Sequence, residues 1–142
     1  MKEEPPTKTE KEWEAHGFKC RVLFVRQSHR CGYVGIPKNH VAYDKNYDDL
    51  PIDVHGGLTY SKVEEDGLNW FGFDCIHAGD KSASSLIPSF NAKDHFWTLE
   101  EVVKETEDMA KQFAELTLGQ IIAYKIQYEP EWFTHNIKIM VE

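Results

Sequence analysis

The chain predicts an α+β fold, an antiparallel sheet with one long helix packed on a face. Three observations carry this. Thr98 and Glu101 form a capping box ahead of Leu99, Val102, Val103, Thr106, Met109, Ala110, Phe113 and Leu116, which recur at helical spacing. Residues 20–27 and 29–36 are apolar runs rich in Val, Phe and Tyr, joined by a short turn, as in a hairpin. Residues 54–61 and 69–77 repeat that pattern across the turn Glu64-Glu65-Asp66-Gly67.

The elements follow in order. Residues 1–12 are charged, contain Pro5-Pro6 and read as a mobile tail, with residues 13–142 as a single domain. Residues 9–16 suit one or two helical turns ended by Gly17. In the first strand, 20–27, Val22 and Phe24 share one side while Leu23 and Val25 share the other, so both sides are apolar. Residues 37–53 are polar and rich in Asp and Asn, the composition of a long loop, and 79–94 form another. The helix opens at Thr98 with Glu100, Glu101 and Glu105 near the positive end of its dipole, and Gly119 is its expected stop. Residues 121–128 and 137–141 read as two further strands, separated by Pro130 and Trp132.

Bulk composition excludes several function classes. With 142 residues the chain suits one domain, and 41% hydrophobic content is enough to fill its core. A formal net charge of −8 argues against a nucleic-acid polymer as partner, which needs a basic footprint. No apolar run approaches the roughly 18 residues that span a membrane. No secretory signal is expected either. Cys20, Cys31 and Cys75 make neither a disulfide framework nor a zinc motif. They read as reduced cytoplasmic thiols, mostly small core residues.

Two segments carry the chemistry: Val54-His55-Gly56-Gly57-Leu58-Thr59-Tyr60 and Gly72-Phe73-Asp74-Cys75-Ile76-His77-Ala78-Gly79-Asp80. Each sets a histidine beside glycines on a strand-like stretch. Glycine weakens a strand interior, so it marks a bulge or a close approach of ligand or backbone. The leading reading is a pocket for a small anionic or nucleotide-like molecule. Arg26 and Arg30 would contact its anionic group, with Arg21 in the same cluster of the chain's only arginines. His55 and His77, with Asp74 and Asp80, would hydrogen-bond it. Gly56, Gly57 and Gly79 would allow close approach, and Tyr60 or Trp70 would stack on an aromatic part. The alternative is a small hydrolase using His55, His77, Asp74 and Asp80, with a divalent metal as the one cofactor it would admit. On a regular strand Asp74 faces away from His77, so these four converge only if the strand ends or bulges near Ile76. Cys31 or Cys75 as a nucleophile is a weaker option, because buried thiols are inert. A third reading is a protein-binding inhibitor that uses Glu100, Glu101, Glu105, Glu107, Asp108 and Glu115 as an acidic helix face. Trp132-Phe133 and the C-terminal strands would be available for a homo-oligomer interface.

These two motifs, with His29-Arg30-Cys31-Gly32-Tyr33-Val34 and the segment around Trp13-Glu14 and Gly17-Phe18, resemble a family of small proteins encoded by bacteriophages and prophages. The resemblance covers residues 13–113 and stops short of the last strands. It implies a phage accessory protein working in the cytoplasm of a bacterial host, and no particular reaction. By analogy with accessory proteins that sequester nucleotide signals of bacterial immunity, the small ligand would be such a signal.

Overall fold

The computed structural model describes residues 6–77, 79–82 and 94–131. Five strands, β1 (Lys8–Ala15), β2 (Phe18–Val25), β3 (His29–Ile36), β4 (Tyr60–Val63) and β5 (Asn69–Asp74), form one antiparallel sheet in the order β1-β2-β3-β5-β4. Two helices follow, α1 (Leu99–Glu115) and α2 (Leu118–Tyr128). The class is α+β, as the alternation and the capping box predict.

Register explains why the sheet is buried on one side. The cross-strand rows Cys20–Val34–Phe71 and Val22–Gly32–Phe73 share a face, and their side chains join the core with Val102, Met109, Ala110 and Phe113 of α1. The helix seats directly on β3 at Gly32. A Cβ there would lie 2.2 Å from Thr106 Oγ1 and 2.6 Å from Phe73. The Thr106 hydroxyl, fully buried, donates to Val102 O at 2.7 Å, so this close contact leaves no donor unsatisfied. The segment 37–53 is a loop, as expected, yet it sends Ala42, Leu50 and Ile52 into the same core. Its 3-10 turn Tyr47–Asp49 is capped by Asn46.

The other face is built around Arg21, which lies in one row with Tyr33, Gly72 and Tyr60. Its guanidinium stacks 4.1 Å from Trp70 and 5.0 Å from Tyr33, and pairs bidentately with Glu64.

Four local expectations are corrected. Residues 9–16 are not helical. They form β1, paired with β2 through a turn whose two residues, His16 and Gly17, both take left-handed φ (52° and 86°). That strand also takes up residues 8–12 of the expected tail. Residues 54–59 are not strand. Gly56 and Gly57 turn the chain at φ 68° and 80°, and the strand starts only at Tyr60. The 69–77 strand stops at Asp74. Residues 121–128 are helical, because Thr117 and Gln120 form a second capping box that outweighs the β-branched content, and Gly119 lies inside α2 instead of ending α1. The expected strand 137–141 and the Trp132-Phe133 interface lie outside the described residues.

Candidate functional site

The end of β5 makes the site. Asp74 is the last residue of the strand, and its Oδ1 accepts from Ile76 N at 3.3 Å, an Asx-type turn that sends the chain out of the sheet. This is the strand end that lets Asp74 and His77 meet despite their opposite parity. Thr59 donates to Asp74 Oδ2 at 3.1 Å and fixes the carboxylate from the neighbouring segment. His77 then lands over Gly56, where a Cβ would lie 2.2 Å from the ring at Cδ2 and Nε2. With φ at 68°, Gly56 is required twice, for the turn and for the contact.

Asp80 is the centre of the arrangement. Its side chain is 3% exposed and faces three donors. They are His55 Nε2 at 2.7 Å, Trp97 Nε1 at 3.0 Å and the His77 amide at 2.9 Å. Because the carboxylate only accepts here, His55 Nε2 carries a proton, and in the neutral form of the ring the lone pair lies on Nδ1. That Nδ1 has no hydrogen-bond partner among the described residues. The ring stacks on Trp97 at 4.3 Å, and its backbone amide is held by Glu105 of α1 at 3.1 Å. His77 lies edge-on to it, with ring centroids 5.7 Å apart. His77 Nε2 is buried and lies 2.9 Å from Asp74 Oδ1, outside hydrogen-bond alignment.

His29, the first residue of β3, completes the group. Its Nδ1 lies 3.0 Å from Ser28 Oγ, which is bonded to Ser82 Oγ at 2.7 Å. Burial pushes the His29 pKa below its ordinary value, Asp74 and Asp80 pull it back in part, and His77 adds to the lowering.

The sequence residues sort cleanly. His55, Gly56, Asp74, His77 and Asp80 come together. Gly57 and Gly79 lie in the flanking turns, the first donating to Val54 O and the second accepting from His95 N. Tyr60 is elsewhere, edge-on to Tyr33 and hydrogen-bonded to Glu64 on the Arg21 face. Arg30 is not placed to meet a ligand: it pairs with Glu10 at 2.6 Å, donates to Trp97 O at 2.9 Å and stacks on Phe24. Its role is to hold β1 and Trp97 in place. Arg26 is exposed in the β2–β3 turn, two residues before Ser28, with left-handed φ shared by Gln27.

Trp97 escaped the sequence reading, and Glu105 entered it only as part of the acidic helix face. The only local signal for Trp97 is its place directly ahead of the α1 capping box. The acidic helix residues are spread among structural duties: Glu105 holds His55, Glu107 accepts from Trp13 and Asp108 from Gln112. Among the described residues no three His, Cys, Asp or Glu side chains converge as metal ligands, since Asp74 and Asp80 each face their own histidine. The thiols are free and buried, with Cys31 pushed up to about 12 and Cys75 raised further in the same direction, both by desolvation. Comparison with protein-family models, curated proteins and solved structures finds no match to this chain.

Proposed function

We propose that the protein takes a small polar ligand at the His55–His77 cluster and acts on it by acid–base catalysis, as a small hydrolase. The observation that carries this is the pairing of two adjacent imidazoles, each set against its own carboxylate. His55 is oriented by buried Asp80 with its lone pair on Nδ1, the state of a general base. His77, its ring centroid 5.7 Å from that of His55 and its own carboxylate partner Asp74 beside it, supplies the second imidazole that would serve as proton donor. A site built only to hold an anion would show free arginine donors, and Arg30 is committed to Glu10 and Trp97 O. The resemblance of the motifs to small phage-encoded proteins supports a substrate in the bacterial cytoplasm, with nucleotide immune signals as the first class to try.

The test is a panel of carboxylic esters, phosphomonoesters and phosphodiesters, including nucleotides. We expect turnover of one class, lost by about 10²–10⁴-fold in His55→Gln, the usual contribution of a positioned base. Heat denaturation with mass spectrometry runs alongside. A nucleotide-like molecule released intact from the wild-type protein, with no turnover of any class, would replace the hydrolase by a protein that sequesters its ligand.

A further inference from the structure

Given that hydrolase reading, on which this inference rests, the base is only as good as the hold on His55. The carboxylate alone is a loose guide. Asp80 Oδ1 and Oδ2 lie 2.9 and 2.7 Å from His55 Nε2, so either oxygen accepts the proton and the pair by itself does not fix the plane of the ring. Trp97 supplies what the pair lacks. Its indole N–H donates to Asp80 Oδ1 at 3.0 Å, and its ring covers the His55 imidazole at 4.3 Å with the planes 33° apart. One side chain therefore acts on both partners, on the carboxylate through a hydrogen bond and on the imidazole through a stack.

Trp97 is itself firmly tied. Before it, His95 N donates to Gly79 O at 2.8 Å and Lys81 N to His95 O at 2.7 Å, a short parallel bridge that lays His95 beside Asp80. From the sheet, Arg30 Nη1 donates to Trp97 O at 2.9 Å, and Glu10 of β1 holds that guanidinium. After it, Thr98 opens the capping box of α1. A backbone anchored to bridge, sheet and helix presents its side chain in one place, which is what a supporting contact requires.

We propose that Trp97 is the positioning residue of this site. It holds the Asp80 carboxylate and the His55 ring in one alignment, so that Nε2 stays on the carboxylate and Nδ1 is left for the proton transfer. In this role it touches no reacting atom. Asp80 is 3% exposed, so water does not replace a donor lost from it. Without the indole N–H the carboxylate keeps only the His55 ring and the His77 amide, and Oδ1 keeps the His55 ring alone.

The experiment reads the His55 Nε2 proton by NMR at pH 7.5, with no substrate present. An imidazole N–H bonded to a buried carboxylate exchanges slowly with water and resonates downfield of the amides. Its absence in His55→Gln assigns the signal. Wild type is expected to show it. Trp97→Phe keeps a stacking ring and loses the N–H, and is expected to lose the signal while the amide spectrum stays that of the folded protein. Replacing the Trp97 indole by the isosteric benzothiophene, which lacks only the N–H, repeats the test without a change of volume and is expected to give the same loss. A signal that survives in either folded protein, even with a lowered urea midpoint, would overturn the proposal and leave Trp97 a purely structural residue. Its absence from the wild type would overturn it too. These outcomes need no turnover, so they are read apart from the fate of the hydrolase. With a substrate in hand, Trp97→Phe is expected to lower kcat by up to about 100-fold at unchanged KM, the cost of a small misplacement. A raised KM at unchanged kcat would overturn positioning and make Trp97 a ligand contact.

Discussion

At the level of single residues, Gly56 shows how little room the site leaves. Two independent constraints fall on it, the left-handed backbone and the His77 ring lying where a side chain would be. Gly57 shares the first constraint only, with nothing within 4 Å of an added Cβ. The pair therefore separates the two costs. Gly57→Ala should cost about 1 kcal/mol, the usual penalty for an L-residue in this conformation. Gly56→Ala should cost about 1–3 kcal/mol more, the range for forcing atoms into a packed site, and should move His77 off Asp74. Urea midpoints of the two variants measure this directly. Equal midpoints would mean that the ring swings aside freely and that its place over Gly56 is not enforced. The same scale shows what was legible in the sequence. Histidines beside glycines pointed to His55, Gly56, His77 and Asp80, because such a pairing reports a backbone that something must approach closely. Arg21 and Arg30 are taken up by carboxylates, since a guanidinium able to grip a phosphate grips a carboxylate equally well. Glu10 and Glu64, 20 and 43 positions away from Arg30 and Arg21, are the groups that take it.

Among the elements, the two helices carry the same cap and depend on it differently. Helix α1 buries Val102, Thr106, Met109, Ala110 and Phe113 against the sheet, whereas α2 buries only Ile121. The rest of its anchorage is polar, through Lys125 to Asp49 at 2.7 Å. Packing sustains most helices in proteins, so a helix with one buried residue leans on its cap. Thr98→Ala should lower global stability by about 1 kcal/mol without unravelling α1. Thr117→Ala should leave the global unfolding midpoint nearly unchanged and speed amide exchange across Leu118–Tyr128 by roughly fivefold, the equivalent of about 1 kcal/mol. Hydrogen exchange read residue by residue checks both, and a uniform loss of protection in either variant would contradict the difference. The reading of 121–128 as a strand failed for a related reason. Ile121, Ile122, Tyr124 and Ile126 have strand-like character, and the Thr117–Gln120 box lies outside that window. The 9–16 segment failed in the opposite direction. Its Glu- and Lys-rich composition favours helix locally, while pairing with β2 decides the outcome at a distance.

For the molecule as a whole, folding brings the β2–β3 turn, the 54–57 turn, the end of β5, Trp97 and α1 to one end of the sheet, and it places His29 among them at some cost to its charged form. At neutral pH His29 is neutral in both folded and unfolded chains, and the burial is harmless. The unfolded chain takes up its proton near the ordinary histidine value of 6.5. The folded chain resists until a lower pH, because desolvation outweighs the attraction of Asp74 and Asp80 and His77 adds repulsion. Between those two values the unfolded state binds more protons, so stability rises with pH there and is lost on acidification. The contribution is fully present above about pH 6.5 and gone below the folded pKa. His29→Gln removes the titration while keeping a side chain able to hydrogen-bond Ser28. Urea midpoints at pH 7.5, 6.5 and 5.5 should fall more steeply for the wild-type protein than for this variant, with the gap opening below pH 6.5. Parallel curves would assign the acid sensitivity to the carboxylates of the cluster instead. The expected divergence would show that the fold holds one histidine of the cluster neutral in a pH range where the unfolded chain is already protonated.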